Sequence, residues 1–200
     1  HRGVGGTPLS SPGLDAQRMI DAPRKAYILF GIEPEQDLAN GERAARALQS
    51  AQTVVCFTPF VSEQLLACAT VLLPIGTFAE TAGTFVNAEG RWQSFDAAAD
   101  LSGDARPGWR VLRVLGNELS LPECEYQNPS DVCAALEQEL GGRLEFAHDH
   151  NFYESKFNPS AESASVADRD LDVPIYAVDA VVRRSEALQQ TSIARGSSAP

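Results

Sequence analysis

Apolar and polar positions alternate along this chain in blocks whose period switches between strand and helix. Ala26-Tyr27-Ile28-Leu29-Phe30-Gly31-Ile32 is a continuous apolar run stopped by Pro34, the pattern of a buried parallel strand. Asn40 then caps a predicted helix reaching about Ser50, with Glu42 in its first turn and Ala44, Ala45, Leu48 and Ala51 at helical spacing. Thr53-Val54-Val55-Cys56-Phe57 predicts a second strand. Ser62 opens a short helix from Glu63 to about Cys68, and Thr70-Val71-Leu72-Leu73 predicts a third strand, broken at Pro74. Strand, helix, strand, helix, strand with short connections predicts an α/β fold, a Rossmann-like parallel sheet with flanking helices. Ligands in such folds gather at the carboxyl ends of the strands, here Ile32-Glu33-Pro34, Thr58-Pro59-Phe60 and Pro74-Ile75-Gly76.

Beyond the third strand the pattern changes. Thr77 to Thr84 is polar and rich in Gly and Thr, and a tight hairpin follows: Phe85-Val86, the turn Asn87-Ala88-Glu89-Gly90, and Arg91 to Phe95. Asn at the first turn position and Gly at the last predict a turn whose Gly90 takes positive φ. A loop over 97–108 leads to a helix from Trp109 to Leu115, with Trp109, Leu112 and Leu115, or Val111 and Leu115, on one face. A further helix starts at Asn128 or Ser130, carries Val132, Ala135, Leu136 and Leu140, and stops at Gly141-Gly142. Residues 1–23, dense in Gly and Pro, read as loop. Periodicity fades from about Glu145, and 148–172 reads as extended or disordered. Order returns at 173–178, where Asp179 caps a predicted helix through Leu188 carrying Arg183 and Arg184. The organisation expected is an irregular segment over 1–25, an α/β domain over 26–117 and a helical, acidic, partly disordered extension over 118–200.

Charge narrows the partners. The net charge is −11; residues 1–117 hold 10 basic and 12 acidic side chains, and 118–200 hold 6 and 15. No basic stripe is present to neutralise phosphates, so nucleic acid is not an expected partner. No apolar run approaches the roughly 20 residues of a membrane-spanning helix, and direct membrane insertion is not expected. Apolar content of 44% and charged content of 22% are those of an ordinary globular protein. The start at His1, in a Gly/Ser/Pro-rich stretch, suggests a piece of a longer polypeptide. Such a piece would show an open sheet edge and an exposed apolar face.

Candidate chemistry is sparse. Cys56, Cys68, Cys124 and Cys133 form no C-x2-C pair and read as reduced, partly buried thiols. His148-x-His150 is at most half a metal site, and no metal is expected. Glu80 and Glu89 are a conceivable acid–base pair but have no histidine or nucleophile nearby. The GVGG at 3–6 lacks the preceding strand a phosphate loop needs. No catalytic residue is assigned.

Three passages carry a resemblance: Phe30-Gly31-Ile32-Glu33-Pro34; Leu73-Pro74 followed by Glu80-Thr81-Ala82-Gly83-Thr84; and Asn87-Ala88-Glu89-Gly90-Arg91. Together they resemble the molybdopterin oxidoreductase superfamily. Residues 103–117 and 174–184 are similar to the G-type subunits of bacterial NADH-quinone oxidoreductase, respiratory complex I. The resemblance implies a scaffold in the peripheral arm, on the cytoplasmic side of the inner membrane, held among other complex I subunits while electrons pass from NADH to quinone. It implies iron–sulfur clusters in a preceding part of the parent subunit and no cofactor in this segment. Gly83, Thr84, Asn87, Glu89, Gly90 and Arg91 would then be vestigial pterin-site positions. Thr70 stands where the family often has Asp, and the tail is short and polar compared with that of molybdenum enzymes. The alternatives are a segment of an active pterin-dependent oxidoreductase resembling formate dehydrogenase, and a stand-alone nucleotide-binding module.

Overall fold

The computed structural model describes residues 13–38, 40–87, 90–122, 124–142 and 175–194. Three parallel strands form its centre: β1 (Ala26–Phe30), β2 (Thr53–Thr58) and β3 (Val71–Pro74), side by side in that order. The register aligns Ile28 with Val55 and Val55 with Val71. The third strand is started by a side chain, because the Thr70 hydroxyl accepts the Val54 amide proton at 3.0 Å while the Thr70 amide donates to the Val54 carbonyl.

Alternation along β1 buries Tyr27 and Leu29 and exposes Ala26, Ile28 and Phe30. The buried face joins Val54 and Cys56 of β2, Leu48 of α3 (Gly41–Gln49) and Leu65 of α4 (Glu63–Cys68) in one apolar cluster. Both helices are capped as their sequences require: Asn40 Oδ1 accepts the Arg43 amide and Ser62 Oγ the Leu65 amide. On α3 the buried positions are Ala44, Ala47 and Leu48, and Ala45 is only half-buried. The contact stripe is therefore rotated from the one predicted. Small residues there let the helix axis lie close to the strands.

The chain before β1 is not all loop. Residues Ala16–Asp21 form α1, capped by Asp15 and stapled to β1 by the Tyr27 hydroxyl, which donates to the Met19 carbonyl at 2.8 Å and accepts the Arg24 amide. A six-residue helix is too short to stand by propensity alone, and this one depends on that tertiary anchor. The GVGG at 3–6 lies outside the described residues. Pro34 does not end β1, which stops at Phe30; Gly31 turns the chain at φ +64°, and Pro34 opens the short helix α2 (Pro34–Asp37). A proline ring suits a first helical turn, whose amides have no intrahelical partner.

The hairpin pairs β4 (Gly83–Val86) with β5 (Trp92–Phe95), and Phe85 stacks on Phe95 at 4.8 Å. Gly90 has φ +78°, as its turn position predicts. Helix α5 spans Gly108–Glu118 and α6 spans Pro129–Glu139. On α5 Leu112 is exposed, while Val111, Arg113, Leu115 and Gly116 turn inward. Of the two faces predicted, only that of Val111 and Leu115 is the packed one. Arg113 reaches the Tyr126 carbonyl, and Gly116 leaves room for Cys124, which a β-carbon would meet at 2.5 Å. Helix α6 is capped by Asn128, whose Oδ1 accepts the Asp131 amide while the Asp131 carboxylate accepts the Asn128 amide, and it stops before Gly141 and Gly142, both at positive φ.

In the last described segment the helix predicted from Asp179 to Leu188 is split. A single 3-10 turn, Val182–Arg184, gives way at Ser185 to α7 (Glu186–Gln189). Ser185 is extended (ψ 103°) because Arg183 and Arg184 are drawn toward the sheet. His148, His150 and the acidic stretch 145–172 lie outside the described residues. The fold is α/β, with a three-stranded parallel sheet and a separate antiparallel hairpin. Among the described residues no helix is long and apolar enough to cross a membrane.

Candidate functional site

The carboxyl ends of β1, β2 and β3 open into a cavity of about 530 Å3. It is lined by Phe30, Ile75, Phe60, Phe78, Phe85 and Trp109 and by Val178 to Val181 and Arg183 of the last described segment. The sequence put three strand-end tripeptides on this edge. Gly31, Pro59, Phe60, Ile75 and Gly76 line the cavity, but Glu33 is turned away into a buried ion-pair cluster.

Glu33 is 5% exposed, a position a carboxylate occupies only when paired. Arg184 grips it with two parallel bonds, Nη1 to Oε1 at 2.8 Å and Nη2 to Oε2 at 2.9 Å. This is the strongest side-chain geometry a guanidinium offers. The same guanidinium lies 3.9 Å from the Phe60 ring centroid, and its Nη1 also donates to the Ala180 carbonyl. Arg183 is bonded through Nη2 to Asp37, and its Nη1 lies 3.9 Å from Glu33. Asp37 in turn accepts the Glu33 amide. Two arginines and two carboxylates thus interlock between residues 146 and 151 positions apart in sequence. The pairing was not apparent in the sequence; the available signal was two adjacent arginines in a strongly acidic half and two carboxylates flanking one strand end.

The loop after β3 is held by Glu80. The Thr77 amide and hydroxyl both donate to its Oε2 at 2.8 Å, and the Ser102 amide donates to Oε1 at 3.0 Å. These bonds, the Thr77 amide foremost, hold the Glu80 carboxyl below its ordinary pKa. Its oxygens are spent on closing the loop. Glu89 lies outside the described residues, and with it the Glu80–Glu89 pairing.

Of the positions that the resemblance would assign to a vestigial pterin site, those within the described residues fall in two places. Gly83 and Thr84 line the cavity, where Gly83 lies under Phe95 and Thr84 Oγ1 meets Ser94 Oγ at 3.1 Å. Asn87, Gly90 and Arg91 sit at the hairpin tip, away from the cavity lining. There the Asn87 side chain accepts the Arg91 amide, and Gly90 donates to the Asn87 carbonyl. The fold separates these two groups by the length of the hairpin. Among the described residues Arg183 is the only cation lining the cavity, and it shares that lining with Asp37 and Asp179.

The molybdopterin oxidoreductase pattern matches residues 4–118, more than half of the chain. The chain belongs to the molybdopterin oxidoreductase family. Its relatives are oxidoreductases of several kinds. The NADPH-Fe(3+) oxidoreductase subunit alpha of Geobacter sulfurreducens is 36% identical over 108 residues, 54% of this chain and 13% of that protein. The F420-dependent formate dehydrogenase 2 subunit alpha of Methanococcus maripaludis is 31% identical over 105 residues, 52% of this chain and 15% of that one. The mitochondrial NADH-ubiquinone oxidoreductase 78 kDa subunit of Neurospora crassa is 43% identical over 53 residues, 26% of this chain and 7% of that subunit. The chain therefore spans about an eighth of the first of these relatives. The ion pairs of Arg183 and Arg184 with Asp37 and Glu33 join the family-matched region to a segment beyond its matched end at residue 118.

Proposed function

We propose that this chain is a scaffold portion of a G-type complex I subunit, supporting NADH-to-quinone electron transfer without carrying a redox centre itself. On this reading its neighbours are other peripheral-arm subunits on the cytoplasmic side of the membrane, and iron–sulfur clusters belong to a preceding part of the parent subunit. The carrying observation is the charge of the strand-end cavity. The one cation lining it among the described residues is already bonded to Asp37, and a second carboxylate, Asp179, shares the lining. A pterin dinucleotide bears phosphates, which would meet carboxylates here instead of free cations. Such a cofactor does not suit this arrangement, and no chemical step is assigned to it. The likeness to the 78 kDa subunit supports the same reading.

The likeness to formate dehydrogenase favours a second reading, a segment of an active pterin-dependent enzyme. The two separate on one measurement. The full-length protein, purified with its native partners, is analysed for molybdenum, tungsten and oxidised pterin. The scaffold reading expects none above background, together with co-purifying NADH-quinone oxidoreductase subunits. Stoichiometric metal and pterin would overturn it in favour of the second.

A further inference from the structure

The segment 175–194 is built as a unit. Asp179 Oδ1 accepts the amides of Val181 and Val182, the Arg183 amide donates to the Asp179 carbonyl, and Gln189 Nε2 reaches the carbonyls of Tyr176 and Val182. Its own bonds are thus local. Its hydrogen bonds to the rest of the chain, among the described residues, run through the two guanidinium groups of Arg183 and Arg184 to Asp37 and Glu33. The Arg183 side chain is 9% exposed, while Ile175, Val178, Ile193 and Glu186 are exposed and Tyr176, Val182 and Leu188 are half-buried. Two ion pairs and one aromatic face attach it, and residues of the same segment line the strand-end cavity.

We propose that residues 175–194 form a flap over the strand-end cavity, latched by Glu33–Arg184 and Asp37–Arg183, that opens as one unit when the latch is broken. A self-contained turn fixed by side-chain ion pairs is the kind of element that opens locally, well below the free energy of global unfolding. Removing one partner of a buried pair leaves the other charge uncompensated and drives that opening. Opening uncovers the half-buried rings of Phe60 and Trp109 to small apolar molecules. The proposal is independent of whether the parent enzyme carries a pterin.

Hydrogen exchange read by mass spectrometry tests it on the full chain, comparing the native protein with Glu33→Gln and Arg184→Gln. The expected result is at least about tenfold faster exchange in peptides covering 181–190, no change in peptides covering 53–58, and stronger fluorescence of anilinonaphthalene sulfonate, the probe for the uncovered cavity. Unchanged exchange over 181–190, or equal acceleration over 53–58, would overturn the flap. Should either variant fail to fold, the native protein in sub-denaturing urea decides. Flap amides are then expected to exchange independently of urea while β2 amides follow it, and a shared urea dependence would refute local opening.

Discussion

Glu80 shows how one side chain can be removed from chemistry by its neighbours. Three donors converge on its carboxylate, so its folded pKa lies below the unfolded value. The stabilisation is therefore present above the unfolded pKa and is lost as pH falls through the folded one. Glu80→Gln is expected to flatten the acid limb of a thermal-stability profile below about pH 5, where unperturbed glutamates begin to protonate. An unchanged limb would assign acid sensitivity to other carboxylates. Cys56 is displaced the other way. Burial, helped by the nearby Cys68 thiol, pushes its pKa up to about 11. Iodoacetamide at about pH 8, below the ordinary thiol pKa, is expected to leave Cys56 unmodified in the folded protein and to label it after denaturation, as peptide mapping would report. Its sequence environment, Val55-Cys56-Phe57, already pointed to a buried thiol, whereas the three donors on Glu80 come together only once residues 77 and 102 are brought to it.

Among the elements, α4 concentrates stability in one turn. Leu65 is fully buried in the sheet cluster, and Ser62 satisfies its amide at the helix start. Leu65→Ala should cost about 2–5 kcal/mol through lost burial and the cavity left behind. Ser62→Ala should cost about 1 kcal/mol through the missing cap. Urea titrations check both, and reversed magnitudes would mean that α4 is held mainly by its cap. The β–α–β core, Asn40 and Ser62 as caps, a cap at Asn128 or Ser130, and Gly90 in the hairpin were all legible, because each rests on local periodicity or local backbone geometry. Three features were not. The helix α1 depends on Tyr27, the choice between the two predicted α5 faces on Gly116 fitting against Cys124, and the break at Ser185 on two carboxylates far away in sequence.

At the scale of the molecule the two faces of the sheet differ. One face carries the apolar cluster. The other presents the row Ile28, Val55 and Val71, with Ile28 65% exposed, and β1 has no strand on its outer edge among the described residues. An unpaired strand edge beside an exposed apolar row is a surface prone to pair with another chain. Sedimentation of the chain by itself should show concentration-dependent association. Ile28→Glu should weaken it with little change in thermal midpoint, since that side chain is already in solvent. Persistent association in the variant would place the contact elsewhere.

The order of strands and helices, the carboxyl-edge location of the motifs and the acidic character of the second half are written in the sequence. They follow from periodicity, capping and composition, which act over a few residues at a time. The separation of Gly83 and Thr84 from the hairpin tip, the commitment of Glu80 to a loop, and the closing of the strand-end cavity were decided by tertiary structure. So was the partnership of Glu33 with Arg184. Ion pairing depends on distance and burial, and neither exists for residues 151 apart until the chain has folded.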